Sequence, residues 1–210
     1  MVAMDYRRTF RAAAVTFVDL VARIPGDRWD GPGLGEWTLR DLVAHTAGSA
    51  LRQVPDVLAT PAESVTVASP EGYWTFARTV APEVYAAAVA ASTDLARTAA
   101  HELGDDPAAP IGELAGRATQ ALAAAGDDDV VSTPAGGMRV RDWLPTRTFE
   151  LVVHGLDVAA AAGVEAAFPP DAVTEATVLA ARVAAAVGDG PSVLFALTGR
   201  APLPKGFSVL

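Results

Sequence analysis

The chain has 210 residues, of which 51% are hydrophobic, and a formal net charge of −9. This length accommodates one large domain with a substantial core, and the acidic balance argues against nucleic-acid binding, which needs clustered lysine and arginine. The absence of cysteine excludes disulfides, Cys-ligated zinc and a cysteine nucleophile, so thiol chemistry would need a thiol from another molecule.

No run of about 20 uninterrupted apolar residues is present, which predicts that the chain does not span a membrane. The N-terminal residues carry charges inside an amphipathic segment, a pattern that is not typical of a signal peptide. We therefore expect a cytoplasmic protein that is a monomer or a homodimer and that contacts neither membranes nor nucleic acid.

Hydrophobic spacing predicts a mainly helical protein, since alanine, the strongest helix former, dominates the apolar fraction. The first helix is predicted over residues 6–24. Thr38 and Asp41 resemble a capping box, and they are expected to start a second helix that carries His45. Pro55 is expected to end or kink that helix.

The remainder of the chain continues this helical pattern. Further helices are predicted over 71–103 (bent or broken before Pro82), 111–125, 140–163 and 171–187. Residues 130–133 predict a short extended segment, and the apolar runs 193–197 and 207–210 predict short strands. We expect one domain, with a helical bundle over residues 1–190 and a short strand extension over 191–210.

Glu150 and His154 are spaced to bind one ion. Four residues apart on a helix, they lie on the same face, and His45 on another helix would complete a set of two histidines and one carboxylate. Such a set suits a divalent metal with positions open for water or substrate. On the residues alone, a hydrogen-bonded core histidine and a surface Glu–His pair remain equally open.

Polar residues continue along the same two helices and imply an interior pocket, because polar groups are buried only with partners. Asp157 would hold a ligand imidazole or relay a proton, unless it is simply solvated. Arginines could bind a substrate carboxylate, although ordinary ion pairing is the alternative for each. Our candidates are Asp157 and Arg147 as catalytic residues, and Arg52 and Arg78 as cofactor-binding residues.

Three segments carry a resemblance to a known family: Trp37–His45, Glu150–Asp157 and Ala196–Arg200. Together they resemble the mycothiol-dependent maleylpyruvate isomerase family, which belongs to the DinB/YfiT-like metal-binding superfamily. The resemblance implies a DinB-like four-helix bundle with extra helices and, here, a short C-terminal β appendage. It also implies that the matching residues His45, Glu150 and His154 bind a divalent metal, usually zinc.

The resemblance further implies a zinc enzyme that activates a low-molecular-weight thiol, mycothiol. A free thiol with a pKa of about 8.5 is mostly protonated at neutral pH, and a bound cation favours the thiolate. The thiolate would be transferred to a small electrophile, or would isomerise it by reversible addition. Two alternatives stay open, namely a metal-dependent hydrolase of a small substrate and a non-catalytic metal-binding or regulatory module.

Overall fold

Helices form most of the computed structural model, which describes residues 5–209. This confirms the mainly helical fold predicted from the alanine content, while residues 1–4 of the predicted bundle lie outside the described part. The helices are α1 Tyr6–Ala22, α2 Leu39–Ala47, α3 Gln53–Leu58, α4 Pro70–Thr75, α5 Pro82–Glu102, α6 Ala108–Ala124, α7 Val140–Ala162, α8 Pro170–Ala186 and α9 Gly190–Leu197. A π-helical turn, Gly48–Arg52, joins α2 to α3, and a 3-10 turn, Phe76–Arg78, follows α4.

Local sequence signals set the ends of the helices that carry the site. The predicted capping box is present at the start of α2, where Thr38 accepts a hydrogen bond from the amide of Asp41 and the Asp41 carboxylate accepts one from the amide of Thr38. α7 spans the predicted helix 140–163 and ends at Gly163, whose φ of 71° is a left-handed conformation that glycine adopts without strain.

Pro55 alters the second helix without ending it. Proline lacks the N–H that would bond the carbonyl of Leu51, and its ring crowds that carbonyl. The chain responds just before the proline with the wide turn 48–52, in which the amide of Gln53 bonds the carbonyl of Gly48, five residues back. The helical path then continues through Pro55, so the expected perturbation takes the form of a π turn.

The β structure lies at a different place from the one predicted. The extended segment expected at 130–133 is β1, Val130–Thr133, which pairs antiparallel with β2, Gly136–Arg139. Residues 193–197, predicted as a strand, form α9 instead, and 207–209 are not in a strand, while Leu210 lies outside the described residues. A short, wholly apolar run does not distinguish a buried strand from a helix, and Pro191 at the start of α9 favours the helix.

α7 is the central element of the core, since it contacts α1, α2 and α8. Trp143 and Leu144 on this helix are fully buried, and they pack in the same core as Phe10 and Phe17 of α1. α5 contacts α2 and leaves most of its own residues exposed. No helix within residues 5–209 combines the length and hydrophobicity that crossing a membrane requires.

Two polar side chains lie in the α7–α8 part of the core. Glu175 on α8 is 6% exposed, and its Oε1 has no hydrogen-bond partner among the described residues. Burial raises the pKa of the Glu175 carboxyl to about 7, and the hydroxyl of Thr148 on α7, which also has no hydrogen-bond partner among the described residues, opposes this by a smaller amount. Glu175 is therefore a carboxyl that burial keeps largely protonated at mildly acidic pH.

Candidate metal centre

His45, Glu150 and His154 come together in the structure. One potential ligand atom from each residue lies within 4.8 Å of the other two. The Nε2 atoms of His45 and His154 lie 3.9 and 3.5 Å from Oε2 of Glu150. The four-residue spacing on α7 places Glu150 beside His154, and the packing of α2 against α7 brings His45 to them. Two imidazole nitrogens and one carboxylate at this separation fit a divalent cation.

Asp157 orients the imidazole of His154. Its Oδ2 lies 3.2 Å from Nδ1 of His154, and a proton on Nδ1 would leave the Nε2 lone pair facing Glu150. Burial by itself lowers the pKa of His154, but the hydrogen bond to Asp157 and the charge of Glu150 raise it overall. A cation binding here would therefore compete with a proton for this imidazole.

His45 has different surroundings from His154. The ring of Trp37 lies 4.6 Å from its imidazole, and Oγ of Ser92 on α5 lies 3.5 Å from its Nδ1. Burial lowers the pKa of His45, with the charge of Glu150 acting in the opposite direction. The neutral imidazole, which is the form that binds metals, is thus favoured at this position.

Glu150 is held by the neighbouring π turn as well as by the two histidines. Its side chain is buried, and Oε2 accepts a 2.9 Å hydrogen bond from the hydroxyl of Ser49. A buried carboxylate needs such partners because it has lost its hydration. Ser49 lies four residues after His45, in the π turn that follows α2, and this hydrogen bond links that turn to α7.

Gly155, next to His154, allows the segment between α7 and α8 to pack closely against α7. A Cβ at this position would collide with the ring of Phe168, which lies in the segment between α7 and α8. Phe168 is buried in the core, so the ring could not move aside freely. The glycine therefore lets the α7–α8 connection pack directly against the helix that carries two of the three candidate ligands.

A cavity of about 530 Å³ adjoins His45 between the second helical segment and α5. Its α2–α3 side carries most of the polar groups, and its α5 side consists of small residues with one leucine. The lining residues are Ala44, His45, Gly48, Ser49, Arg52, Gln53 and Asp56 on one side, and Ala88, Ala91, Ser92, Leu95, Ala96 and Ala99 on the other. The cavity is large enough for a small organic molecule beside the candidate metal centre.

Within residues 5–209, the cluster consists of His45, Glu150 and His154, and no fourth His, Asp or Glu side chain belongs to it. Structural zinc sites usually have four protein ligands, whereas three ligands leave at least one position for water or a substrate atom. The arrangement is therefore that of an open site next to a cavity.

The three predicted arginines have different positions. Arg52 lines the cavity, with its guanidinium 3.8 Å from the carboxylate of Glu102. Arg78 is exposed at the end of the 3-10 turn, away from the cavity-lining residues. Arg147 is 2% exposed and donates 2.7 Å hydrogen bonds to the Ser49 carbonyl and to the side chain of Gln53. Of these arginines, Arg52 alone borders the cavity.

Three polar residues that line the cavity were not predicted from the sequence, namely Gln53, Asp56 and Ser92. Ser92 interrupts an alanine-rich helix, with alanines four residues before and after it, and that interruption is a signal that the face is polar at one point. Gln53 carried no comparable signal, because an uncharged polar residue beside Arg52 is ordinary on a helix surface.

No curated protein and no solved structure shows significant similarity to this chain. Residues 10–159 match the family described as the mycothiol maleylpyruvate isomerase N-terminal domain. The matched segment includes His45, Glu150, His154 and the residues of the cavity. Because the match covers more than half of the chain, the protein belongs to the mycothiol maleylpyruvate isomerase N-terminal domain family.

Proposed function

We propose that this protein is a cytoplasmic, metal-dependent enzyme that activates a low-molecular-weight thiol, mycothiol, toward a small electrophile. The thiolate would form a carbon–sulfur bond with the electrophile, either by addition or with loss of a leaving group such as halide, or would isomerise it by reversible addition. The observation that carries the proposal is the open set His45, Glu150 and His154 beside a cavity. Membership of a family named for mycothiol supports the choice of thiol.

The three candidate ligands define what a bound ion, zinc in our proposal, would contribute. Two neutral imidazoles and one carboxylate leave a divalent cation with a net charge near +1, which lowers the pKa of a thiol bound to it. Because the chain has no cysteine, the thiol must come from a second molecule. His45 and Ser49 border the cavity, which supports entry of the thiol from that side.

Arg52 is our candidate for binding an anionic group of the thiol or the electrophile. It is the cationic residue of the cavity lining, and a guanidinium can bind a carboxylate through two parallel hydrogen bonds. Its present partner Glu102 is 62% exposed at the side chain, and a pair at 3.8 Å between exposed groups contributes little stability. A substrate carboxylate could therefore displace Glu102 at small cost.

Metal analysis of the purified protein, followed by titration of the cobalt-substituted protein with mycothiol, tests this proposal. We expect one ion per chain and a new sulfur-to-cobalt charge-transfer absorbance as the thiol is added. His154→Ala should abolish both, whereas His101→Ala, which removes an exposed histidine at the end of α5, should change neither. Stoichiometric metal with no thiol-dependent absorbance would contradict the proposed role of the thiol.

The hydrolase alternative is separated by a thiol-dependence assay. In that alternative a water in the open position is the nucleophile, and Asp157, with 34% of its side chain exposed, is the candidate base. Turnover of an electrophilic substrate should stop when mycothiol is omitted if the protein is a thiol-dependent enzyme. Turnover that is equal with and without thiol would instead support the hydrolase.

A further inference from the structure

Arg147 is an unusual residue in the interior of this protein. Its side chain is 2% exposed, and no carboxylate within residues 5–209 forms an ion pair with it. The guanidinium lies over the rings of Tyr73 and Trp143, at 4.9 and 5.6 Å from their centroids, and its Nη2 has no hydrogen-bond partner in the described part of the chain. A buried charge without an acidic partner costs stability, and apolar residues often replace such groups without loss. This cost suggests that Arg147 has a role beyond packing.

The hydrogen bonds of Arg147 indicate that role. In a regular α-helix the amide of Gln53 would bond the carbonyl of Ser49, four residues earlier. In the π turn that amide bonds the carbonyl of Gly48 instead. Nη1 of Arg147 donates a 2.7 Å hydrogen bond to the released Ser49 carbonyl and another of 2.7 Å to Oε1 of Gln53. The guanidinium thus takes the place of the missing backbone donor.

The same turn supplies the hydrogen bond to Glu150. The backbone of Ser49 is bound by Arg147, and its hydroxyl donates to Oε2 of Glu150 at 2.9 Å. Arg147 and Glu150 lie three residues apart on α7, so a single helix contacts both ends of Ser49. Pro55 also favours an irregular helix in this segment, because it has no N–H to donate to the Leu51 carbonyl.

We propose that Arg147 is a positioning residue that holds the π turn open and thereby keeps Ser49 on the metal-binding carboxylate of Glu150. This assignment rests on the proposed metal site, and it differs from a direct contact between Arg147 and substrate. Groups that orient metal ligands in this way typically change metal affinity by about 10- to 100-fold when they are removed.

A double-mutant cycle on metal affinity tests the proposal. Arg147→Met and Ser49→Ala should each raise the dissociation constant for Co²⁺ by about 10-fold. The double variant should also raise this constant by only about 10-fold, since both changes remove the same hydrogen bond to Glu150. Arg117→Met, which removes an exposed helical arginine, is the matched control and should leave the constant unchanged. An unchanged constant for Arg147→Met, or additive losses of about 100-fold in the double variant, would overturn the proposal.

The turn itself is tested without metal. A crystal structure of metal-free Arg147→Met should show the amide of Gln53 bonded to the Ser49 carbonyl and the Ser49 hydroxyl withdrawn from Glu150. If that variant does not fold, Gln53→Leu, which removes one acceptor of the guanidinium, gives a milder test and should raise the Co²⁺ constant by less than Arg147→Met. An unaltered π turn with Ser49 still on Glu150 would refute the positioning role. Failure of the wild-type protein to bind any metal would instead refute the proposed function.

Discussion

Two carboxyl groups buried on neighbouring helices, Glu150 on α7 and Glu175 on α8, have opposite surroundings. They are 8% and 6% exposed, so their loss of hydration is similar. Glu150 has the Ser49 hydroxyl and two imidazoles as neighbours, whereas Oε1 of Glu175 has no partner among the described residues. Burial raises the pKa of Glu175 to about 7.

This difference indicates that the groups around a buried carboxyl determine whether it is suited to bind a metal. A carboxylate with hydrogen-bond donors and imidazoles beside it can bind a metal, whereas a carboxyl in apolar surroundings is stable chiefly in its neutral form. Glu150 therefore has the environment of a ligand, and Glu175 has that of a group whose ionisation opposes folding. The following substitutions separate these two roles.

The largest effect is expected for Glu150→Gln. An amide is a far weaker ligand than a carboxylate, so the dissociation constant for Zn²⁺ or Co²⁺ should rise by more than about 100-fold, beyond the usual effect of residues that only orient ligands. Isothermal titration calorimetry measures it. Glu175→Gln is the matched control, with the same chemical change at similar burial, and should bind metal as the wild type does. Equal losses in both variants would remove the distinction between the two carboxyls.

Glu175→Gln should instead change the dependence of stability on pH. In the folded protein the carboxyl has a pKa of about 7, above the ordinary value of 4.5 expected in the unfolded chain. Between these values the folded state holds a proton that the unfolded state has released, so the free energy of unfolding of the wild type falls as the pH rises through this window. The loss should be about 3 kcal/mol and complete above the folded pKa.

Urea unfolding at a series of pH values measures this effect. The variant should lack the fall attributed to Glu175 and should be more stable than the wild type at pH 8. If the two proteins showed parallel curves between pH 4.5 and 8, the carboxyl would not be the group that responds.

Asp157→Asn should have an intermediate effect on the metal centre. The amide oxygen can still accept a hydrogen bond from Nδ1 of His154, but the negative charge that raises the pKa of this imidazole is removed. We expect a lower pKa of His154 in the metal-free protein, followed by NMR, and a metal affinity weakened by about 10-fold near neutral pH. Asp94→Asn, on the exposed face of α5, is the control. An unshifted His154 titration would indicate that Asp157 does not act on it.

The smallest effect is expected for Thr148→Val, which keeps the shape of the side chain and removes its hydroxyl. Because this hydroxyl lowers the pKa of Glu175, its removal should raise that pKa further. The fall in unfolding free energy should then extend to slightly higher pH, by less than about 1 kcal/mol in total. The same urea series would detect it, and Glu175→Gln/Thr148→Val should show no such extension.

Helix periodicity was sufficient to predict the part of the site that lies on one helix. Glu150 and His154 are four residues apart, and a helix places such residues together whatever surrounds it. His45 could not be joined to them by spacing, because periodicity does not say which helices face each other. It entered through the resemblance and the small number of histidines in the chain.

The remaining features depend on tertiary contacts that no local pattern encodes. Arg147 lies three residues before Glu150 on the same helix, which predicted a residue of the pocket, yet its side chain is bound to the π turn. Glu175 was not singled out from the sequence, because a charged residue is ordinary on an amphipathic helix, and packing of α8 buries it. The apolar run 193–197 was predicted as a strand, because a short apolar run is compatible with either a strand or a helix. In the structure it belongs to α9, which begins beside Pro191.

The alanine-lined side of the cavity has a consequence for how readily substrate selectivity could change. Ala88 and Ala91 border the cavity from α5, on the side opposite the segment 44–56 that carries His45. Exchanging either for a leucine would reshape the space open to an incoming molecule and leave the cation's own neighbours in place. Diversification of this helix surface would therefore be a direct route by which related chains acquire new preferences around one unchanged reaction.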